Sequence, residues 1–183
     1  LPVRRHDMPA LNRQKDSMDC DRFMGAALRE AQKALARRDF PVGCVMVHEG
    51  RIVARGSRKR TCGDGRNELD HAEIVALRRL AAHTDPLDPS AITVFSTMEP
   101  CLMCFSALML HGIGKIVYSY EDAMGGGTAC DRSRLSPLYR DSLIRVRGGV
   151  RRGESLALFK AFFADPRHSY WRGSHLAEYT LNQ

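Results

Sequence analysis

The chain has 183 residues, 44% of them hydrophobic, and 28 Lys and Arg against 21 Asp and Glu give a formal net charge of +7. A chain of this size can bury a core without disulfide staples, so its six cysteines read as thiols or metal ligands and not as a disulfide framework. No run of about 18 apolar residues exists, which excludes a membrane-spanning helix, while the basic balance suits a nucleic-acid partner as well as it suits an ordinary basic enzyme.

Residues 1–16 are basic and polar with no apolar centre, so they read as a flexible extension and not as a signal peptide. Ser17 and Asp19 offer N-caps ahead of Phe23, Met24, Ala27, Leu28, Ala31, Ala34 and Leu35, whose spacing predicts a helix ending near Arg38. Pro41 stops any continuation. Val42 to Val47 and Ile52 to Ala54 read as two strands joined by Glu49-Gly50 in a hairpin. The charged stretch Ser57 to Leu69 reads as a loop, and His71 to Ala82 as a second helix with Ile74, Val75, Leu77 and Leu80 inward. A buried strand is expected at Ala91 to Phe95, a helix opened by Pro100 and running to Leu110, and a strand at Lys115 to Tyr118. A long loop carries Gly125-Gly126-Gly127 and ends near Tyr139. Then come a strand at Leu143 to Val146, an amphipathic helix from Glu154 to Ala164 and a terminal helix from Ser174 to Leu181. Strands alternating with helices predict an α/β sandwich, and a hairpin followed by crossovers predicts a mixed sheet.

Two short segments carry the chemistry: His71-Ala72-Glu73 and Pro100-Cys101-Leu102-Met103-Cys104. Alone, the Cys-x-x-Cys pair is equally a redox dithiol, half of a structural zinc site or two buried thiols. Both segments, however, sit where a helix begins. Cys101 and Cys104 are three residues apart, so they share one helix face, and the helix N-terminus favours their thiolate forms. One imidazole and two thiolates make the three-ligand set of a catalytic zinc, which leaves its fourth position to water. No second Cys-x-x-Cys or His-x-x-x-His pair is present to close a structural site. Zinc lowers the pKa of bound water to about 7, and a carboxylate two residues from a ligand, Glu73, is placed to move the protons. His-x-Glu followed by Pro-Cys-x-x-Cys is the signature of zinc nucleobase deaminases.

On these residues the chain resembles the cytidine and deoxycytidylate deaminase superfamily, and within it the branch of bacterial tRNA adenosine deaminases and guanine deaminases. The likeness extends to Pro41-Val42-Gly43-Cys44-Val45, to Met98 to Cys104, to Ala107 to Tyr118, to Glu121-Asp122-Ala123 and to Phe162-Phe163. It implies a three-layer α/β/α sandwich around a five-stranded mixed sheet, formed by residues 17–165, with residues 166–183 as a tail packing on the domain or on a dimer partner. It also implies one Zn²⁺ per chain held by His71, Cys101 and Cys104, with Glu73 as proton shuttle. Substrate contacts are implied from Arg58, Ala72, Pro100 and Asp122, and the resemblance implies a homodimer; the six cysteines, read as thiols, favour the cytoplasm. The reaction implied is hydrolytic loss of ammonia from a nucleobase, with adenosine to inosine in tRNA first and a free base or nucleoside (guanine, cytosine or adenosine) second. A deaminase fold kept only for RNA binding, or as a partner subunit, would have no need of Glu73.

One departure is pointed. After the second strand the superfamily has Gly-x-Asn, and here Gly56-Ser57-Arg58 stands in its place. Arg only donates hydrogen bonds and is always charged, whereas Asn both donates and accepts. Arg58-Lys59-Arg60 reads either as a binder of a phosphate or carboxyl group or as a solvated loop. Tyr170-Trp171 reads either as a stacking platform for a base or as the tail's own packing. Cys44 is expected in the core and His111 packed within its helix. Cys20, Cys62 and Cys130 show no ligand spacing, and the triple glycine, lacking a following Lys-Ser, is no phosphate loop.

Overall fold

The computed structural model describes residues 10–63 and 65–183, with side chains from residue 16 onward; the flexible extension read for the first residues falls outside this range up to residue 9. Five strands form one sheet in the order β2-β1-β3-β4-β5. They are β1 (Gly43–His48), β2 (Arg51–Ser57), β3 (Thr93–Met98), β4 (Lys115–Tyr120) and β5 (Arg145–Arg147). The β1 strand pairs antiparallel with both β2 and β3, while β3, β4 and β5 run parallel. The sheet is therefore mixed, as the pattern of hairpin and crossovers predicts.

Helices cover both faces, and the two-residue alternation of the strands decides which residues meet them. Val45, Val47, Phe95 and Val117 face α1 (Ala10–Ala36), which buries Phe23, Met24, Ala27 and Leu28 against them. Cys44, Met46, Val94 and Ile116 face the other way, into a core shared with α2 (Ala72–Ala81) and α3 (Leu102–Leu110). That second core continues around the end of the sheet to Phe159 and Phe162 of α5 (Arg152–Ala164). Each such fully buried aromatic or aliphatic side chain contributes about 1.5–3 kcal/mol of transfer free energy.

Several boundaries differ from the sequence reading. The α1 helix begins at Ala10, so Ser17 and Asp19 lie inside it instead of capping it. It ends where Arg38 turns left-handed (φ 66°). The hairpin turns at Glu49 (φ 46°) and Gly50 (φ 74°), and a bulge at Met46/Val47 precedes it. The β2 strand runs to Ser57, and β3 starts at Thr93 after a 3₁₀ turn at Pro89–Ala91. Pro100 lies before α3 and does not open it, because Cys101 occupies the N-cap position. The long loop contains a 3₁₀ turn, Arg132–Arg134, and a short helix α4 (Pro137–Arg140). His111 is the C-cap of α3, not an interior helical residue. The last element, α6 (His175–Leu181), is capped by Ser174, whose side chain accepts from the Ala177 N–H. No helix among the described residues is long and apolar enough to cross a membrane.

Candidate active site and metal centre

The site lies at the carboxyl end of the parallel strands β3 and β4, where α2 and α3 both begin, the region in which open α/β sheets bind ligands. Backbone proximity fixes it. A Cβ on Gly56 would stand 2.0 Å from the Ala72 carbonyl oxygen, so only glycine in β2 lets the first turn of α2 lie this close to the sheet. His71 is the N-cap of α2 in extended backbone (φ −62°, ψ 152°), and Cys101 is the N-cap of α3 in nearly the same conformation.

The ligand atoms of His71, Cys101 and Cys104 all lie within 4.8 Å of one another. Cys101 Sγ is 3.5 Å from His71 Nδ1. Bond lengths of about 2.3 Å to sulfur and about 2.0 Å to nitrogen, at a tetrahedral angle, separate the two atoms by about 3.5 Å. The donor set and its spacing therefore fit zinc, with one coordination position open. The thiols are electrostatically paired. Cys101 is held down at about 4, first by the hydrogen bond from the Cys104 thiol and then by His71, against the opposing effect of burial. Cys104 is pushed up because its proton is shared with Cys101 and its site is buried beside Glu73. One thiol thus ionises readily, while the second holds its proton until a bound cation displaces it. Burial lowers the pKa of His71, but the hydrogen bond with Cys101 and the charge of Glu73 raise it, and the net shift is upward.

Glu73 is 3% exposed. Its Oε1 accepts a 2.6 Å hydrogen bond from Ser96 Oγ on β3, and its Oε2 lies 3.6 Å from the Cys104 sulfur. The carboxylate is therefore beside the ligand cluster without belonging to it. Glu99, which the sequence reading passed over, ties the opposite wall together. It accepts from the backbone N–H of Asp122 and of Thr128, each at 3.2 Å. The triple glycine lies across the ligand turn. Gly127 N donates to the Pro100 carbonyl at 2.9 Å, and a Cβ there would stand 2.5 Å from Leu102 N.

A cavity of about 330 Å³ opens onto the cluster. Arg58, Ala72 and Asp122 line it together with His71, Glu73 and Cys101. Pro100 is buried and is not among the lining residues; it takes part through its carbonyl. Burial raises the pKa of Asp122, although two backbone N–H groups oppose the shift. Arg58 is not on a solvated loop: it is 2% exposed, and its guanidinium donates to Asn67 O (2.9 Å), Glu68 Oε2 (2.8 Å) and Tyr170 Oη (3.2 Å). Tyr170, Trp171 and Leu176, from beyond α5, line the same cavity. Tyr170 packs on Phe40 (ring centroids 5.4 Å apart), and Phe40 packs in turn on Phe159 and Phe162. Sequence reasoning weighed Arg58 and Tyr170 separately and missed Glu68, since nothing local links residues so far apart in the chain.

Residues 18–120 match the family described as the cytidine and deoxycytidylate deaminase zinc-binding region. A tRNA-specific adenosine deaminase of Streptococcus pyogenes serotype M3 is 30% identical over 154 residues, 84% of this chain and 89% of that protein. A structure from a study of A-to-I editing by tRNA deaminases at the wobble position of transfer RNA superposes with a TM-score of 0.63. It is 31% identical and covers 75% of this chain and 98% of that one. A guanine deaminase from Nitrosomonas europaea shares the fold, with a TM-score of 0.63 at 24% identity over 78% of this chain and 83% of that one.

Proposed function

The chain belongs to the cytidine and deoxycytidylate deaminase family, and from that premise we propose that His71, Cys101 and Cys104 hold its zinc and that Glu73 is its proton carrier. The observation that carries this reading is the Glu73 carboxylate, fixed by Ser96 and 3.6 Å from a ligand sulfur. When bound, zinc supplies an acidified water as nucleophile at neutral pH. Glu73 would take one proton from the attacking water and hand it to the ring nitrogen beside the amine-bearing carbon, then take the proton of the hydroxyl now on that carbon and hand it to the departing amine as the carbonyl forms. The balance is one water consumed, one amine-bearing carbon converted to a carbonyl and one ammonia released.

The relatives support adenosine in tRNA, converted to inosine, as the substrate. The net charge of +7 suits an RNA partner. A second reading, a free base or nucleoside, is favoured by Tyr170, Trp171 and Leu176, which cover the cavity from the chain's own carboxyl-terminal segment. Six free cysteines support a reducing, cytoplasmic setting. Leu102, Leu110, Leu138 and Leu143, exposed by 54%, 63%, 59% and 91%, support a homodimer that covers them. The test is ammonia release from an RNA anticodon arm and from free bases, with zinc-loaded and zinc-stripped protein. Turnover that requires zinc supports the reading. Full activity of the stripped protein overturns it.

A further inference from the structure

The carboxyl-terminal segment is a fastened wall of the active site. At its near end Tyr170 Oη donates to Glu68 Oε2 at 2.9 Å, and Arg66 donates to Ser169 Oγ at 2.9 Å. At its far end Tyr120 and Thr180 share a 3.0 Å hydrogen bond, Tyr179 Oη donates to Glu121 at 2.8 Å, and Arg152 donates to Gln183 at 2.8 Å. Between these clamps Leu176 is 2% exposed. Through Tyr170, Trp171 and Leu176 this wall borders the cavity that opens onto the ligand cluster. The cavity of about 330 Å³ is at the small end of the range of small-molecule sites, about 300–1,000 Å³.

The lining also has a definite polarity. Arg58 is its one Arg or Lys among the described residues, whereas Glu68, Glu73, Glu99 and Asp122 all contribute carboxyl groups. An anionic substrate would meet more repulsion than attraction, which sets aside the phosphate or carboxyl ligand that Arg58 by itself suggests. Arg58 only donates hydrogen bonds. Glu68 takes both of its hydrogen bonds, from Arg58 and Tyr170, on Oε2, which leaves Oε1 to accept another. Donor and acceptor therefore stand side by side on one wall. Their complement is a ring edge that carries a carbonyl oxygen next to an N–H.

We propose that this site takes a free, neutral heterocycle that bears both an amine and an adjacent carbonyl/N–H edge, with Arg58 donating to the carbonyl oxygen, Glu68 accepting from the N–H, and Tyr170 positioning both. The proposal rests on the deaminase reading and decides between its two substrate branches. Apart from the amine that leaves, the adenine ring of adenosine presents only acceptors, so its ring edge gives Glu68 no donor. Sites built to hydrogen-bond a substrate group reject analogues that lack it by factors of about 10⁴ or more when fully enclosed. Glu68 is 57% exposed, so the expected preference here is about 100-fold.

The experiment uses the full zinc-loaded chain. Ammonia release is measured on guanine, cytosine, adenine, adenosine and an anticodon-arm RNA with adenine at the wobble position. Binding of the same compounds is measured by calorimetry to Glu73→Gln, so that recognition is read without turnover. The expected result is a preference of about 100-fold, in kcat/KM and in binding, for guanine or cytosine over adenosine and the RNA, with adenine, whose N9–H beside N3 offers a donor and an acceptor, in between. Arg58→Lys keeps the charge but loses the planar fork, and Tyr170→Phe loses only the hydroxyl; each is expected to lower the preference at least tenfold through KM, with zinc content and kcat on the preferred base unchanged. Equal or better binding and turnover of adenosine or the RNA overturns the proposal while leaving the deaminase reading standing. Selective binding of guanine or cytosine without ammonia release from any compound overturns the deaminase reading while upholding the recognition.

Discussion

Ser96 Oγ donates a 2.6 Å hydrogen bond to Glu73 Oε1 across the space between β3 and α2, and both side chains are buried. This contact selects one orientation of the carboxylate and turns its second oxygen towards the ligand cluster, 3.6 Å from Cys104 Sγ. In the proton-carrying role proposed for it, Glu73 would serve water, ring and leaving amine in turn, which needs its geometry settled beforehand. Ser96→Ala is expected to lower kcat about tenfold with zinc content unchanged. An unaltered kcat in steady-state assays would show that Ser96 is only filling space.

Glu73→Gln keeps the shape of the side chain and removes its capacity to carry a proton. The expected outcome is one zinc per chain, as in the parent protein, with kcat lowered by about 10²–10⁴. Metal analysis and turnover on the same sample check both parts, and retained activity would remove Glu73 from its role.

Cys104→Ala removes a buried member of the proposed ligand set. Zinc content is expected to fall towards zero, and the melting temperature of the protein prepared with zinc is expected to fall to that of the zinc-stripped parent, because metal binding adds to folding free energy. Full zinc occupancy in this variant would mean that the ligands have been misidentified.

Gly127 lies so close to the ligand turn that a Cβ would stand 2.5 Å from Leu102 N and 2.8 Å from the Cys101 carbonyl carbon. Gly127→Ala forces one of these backbones to move, at a cost of about 1–3 kcal/mol. Zinc dissociation, followed with a colorimetric chelator, is expected to be faster than in the parent. An unchanged rate and melting temperature would show that the loop yields freely.

Glu121 holds α6 through Tyr179 and is itself held by Arg152, whose Nε donates to Oε2 at 2.8 Å. The Arg152 hydrogen bond, followed by smaller contributions, lowers the Glu121 pKa from 4.5 to about 2. A depressed folded-state pKa stabilises the fold fully above the unfolded value, and that contribution is lost as the pH falls from about 4.5 through about 2. Both side chains are about a third exposed, so Glu121→Gln is expected to cost about 1 kcal/mol or less at neutral pH. Hydrogen exchange in His175–Leu181 should rise at pH 7, and the difference from the parent should shrink below about pH 4. Equal protection at pH 7 would show that Leu176 alone holds the helix.

How much of this was legible in the chain follows from the range over which each signal acts. His71-Ala72-Glu73 and Pro100 to Cys104 could be read as a metal and proton-transfer set because both motifs are local: spacing along one helix start fixes which atoms share a face. The alternating and helical periods likewise announced a mixed α/β sheet, since burial on one face imposes the period. Helix starts were less legible, and α1 runs past Ser17 and Asp19 because a capping residue only stops a helix when the turns before it find no support. What only the tertiary structure decided is the wall of the pocket. Arg58 reads as surface from its neighbours Lys59 and Arg60, yet it is buried, because Glu68 and a tyrosine 112 residues away satisfy its charge and its donors. Contacts at that separation leave no period and no spacing in the chain, since it is the packing of Phe40, Phe159 and Phe162 that carries Tyr170 to Arg58. The sequence by itself thus determined the chemistry that the site performs, and the folded chain determined the shape and polarity of what the site admits.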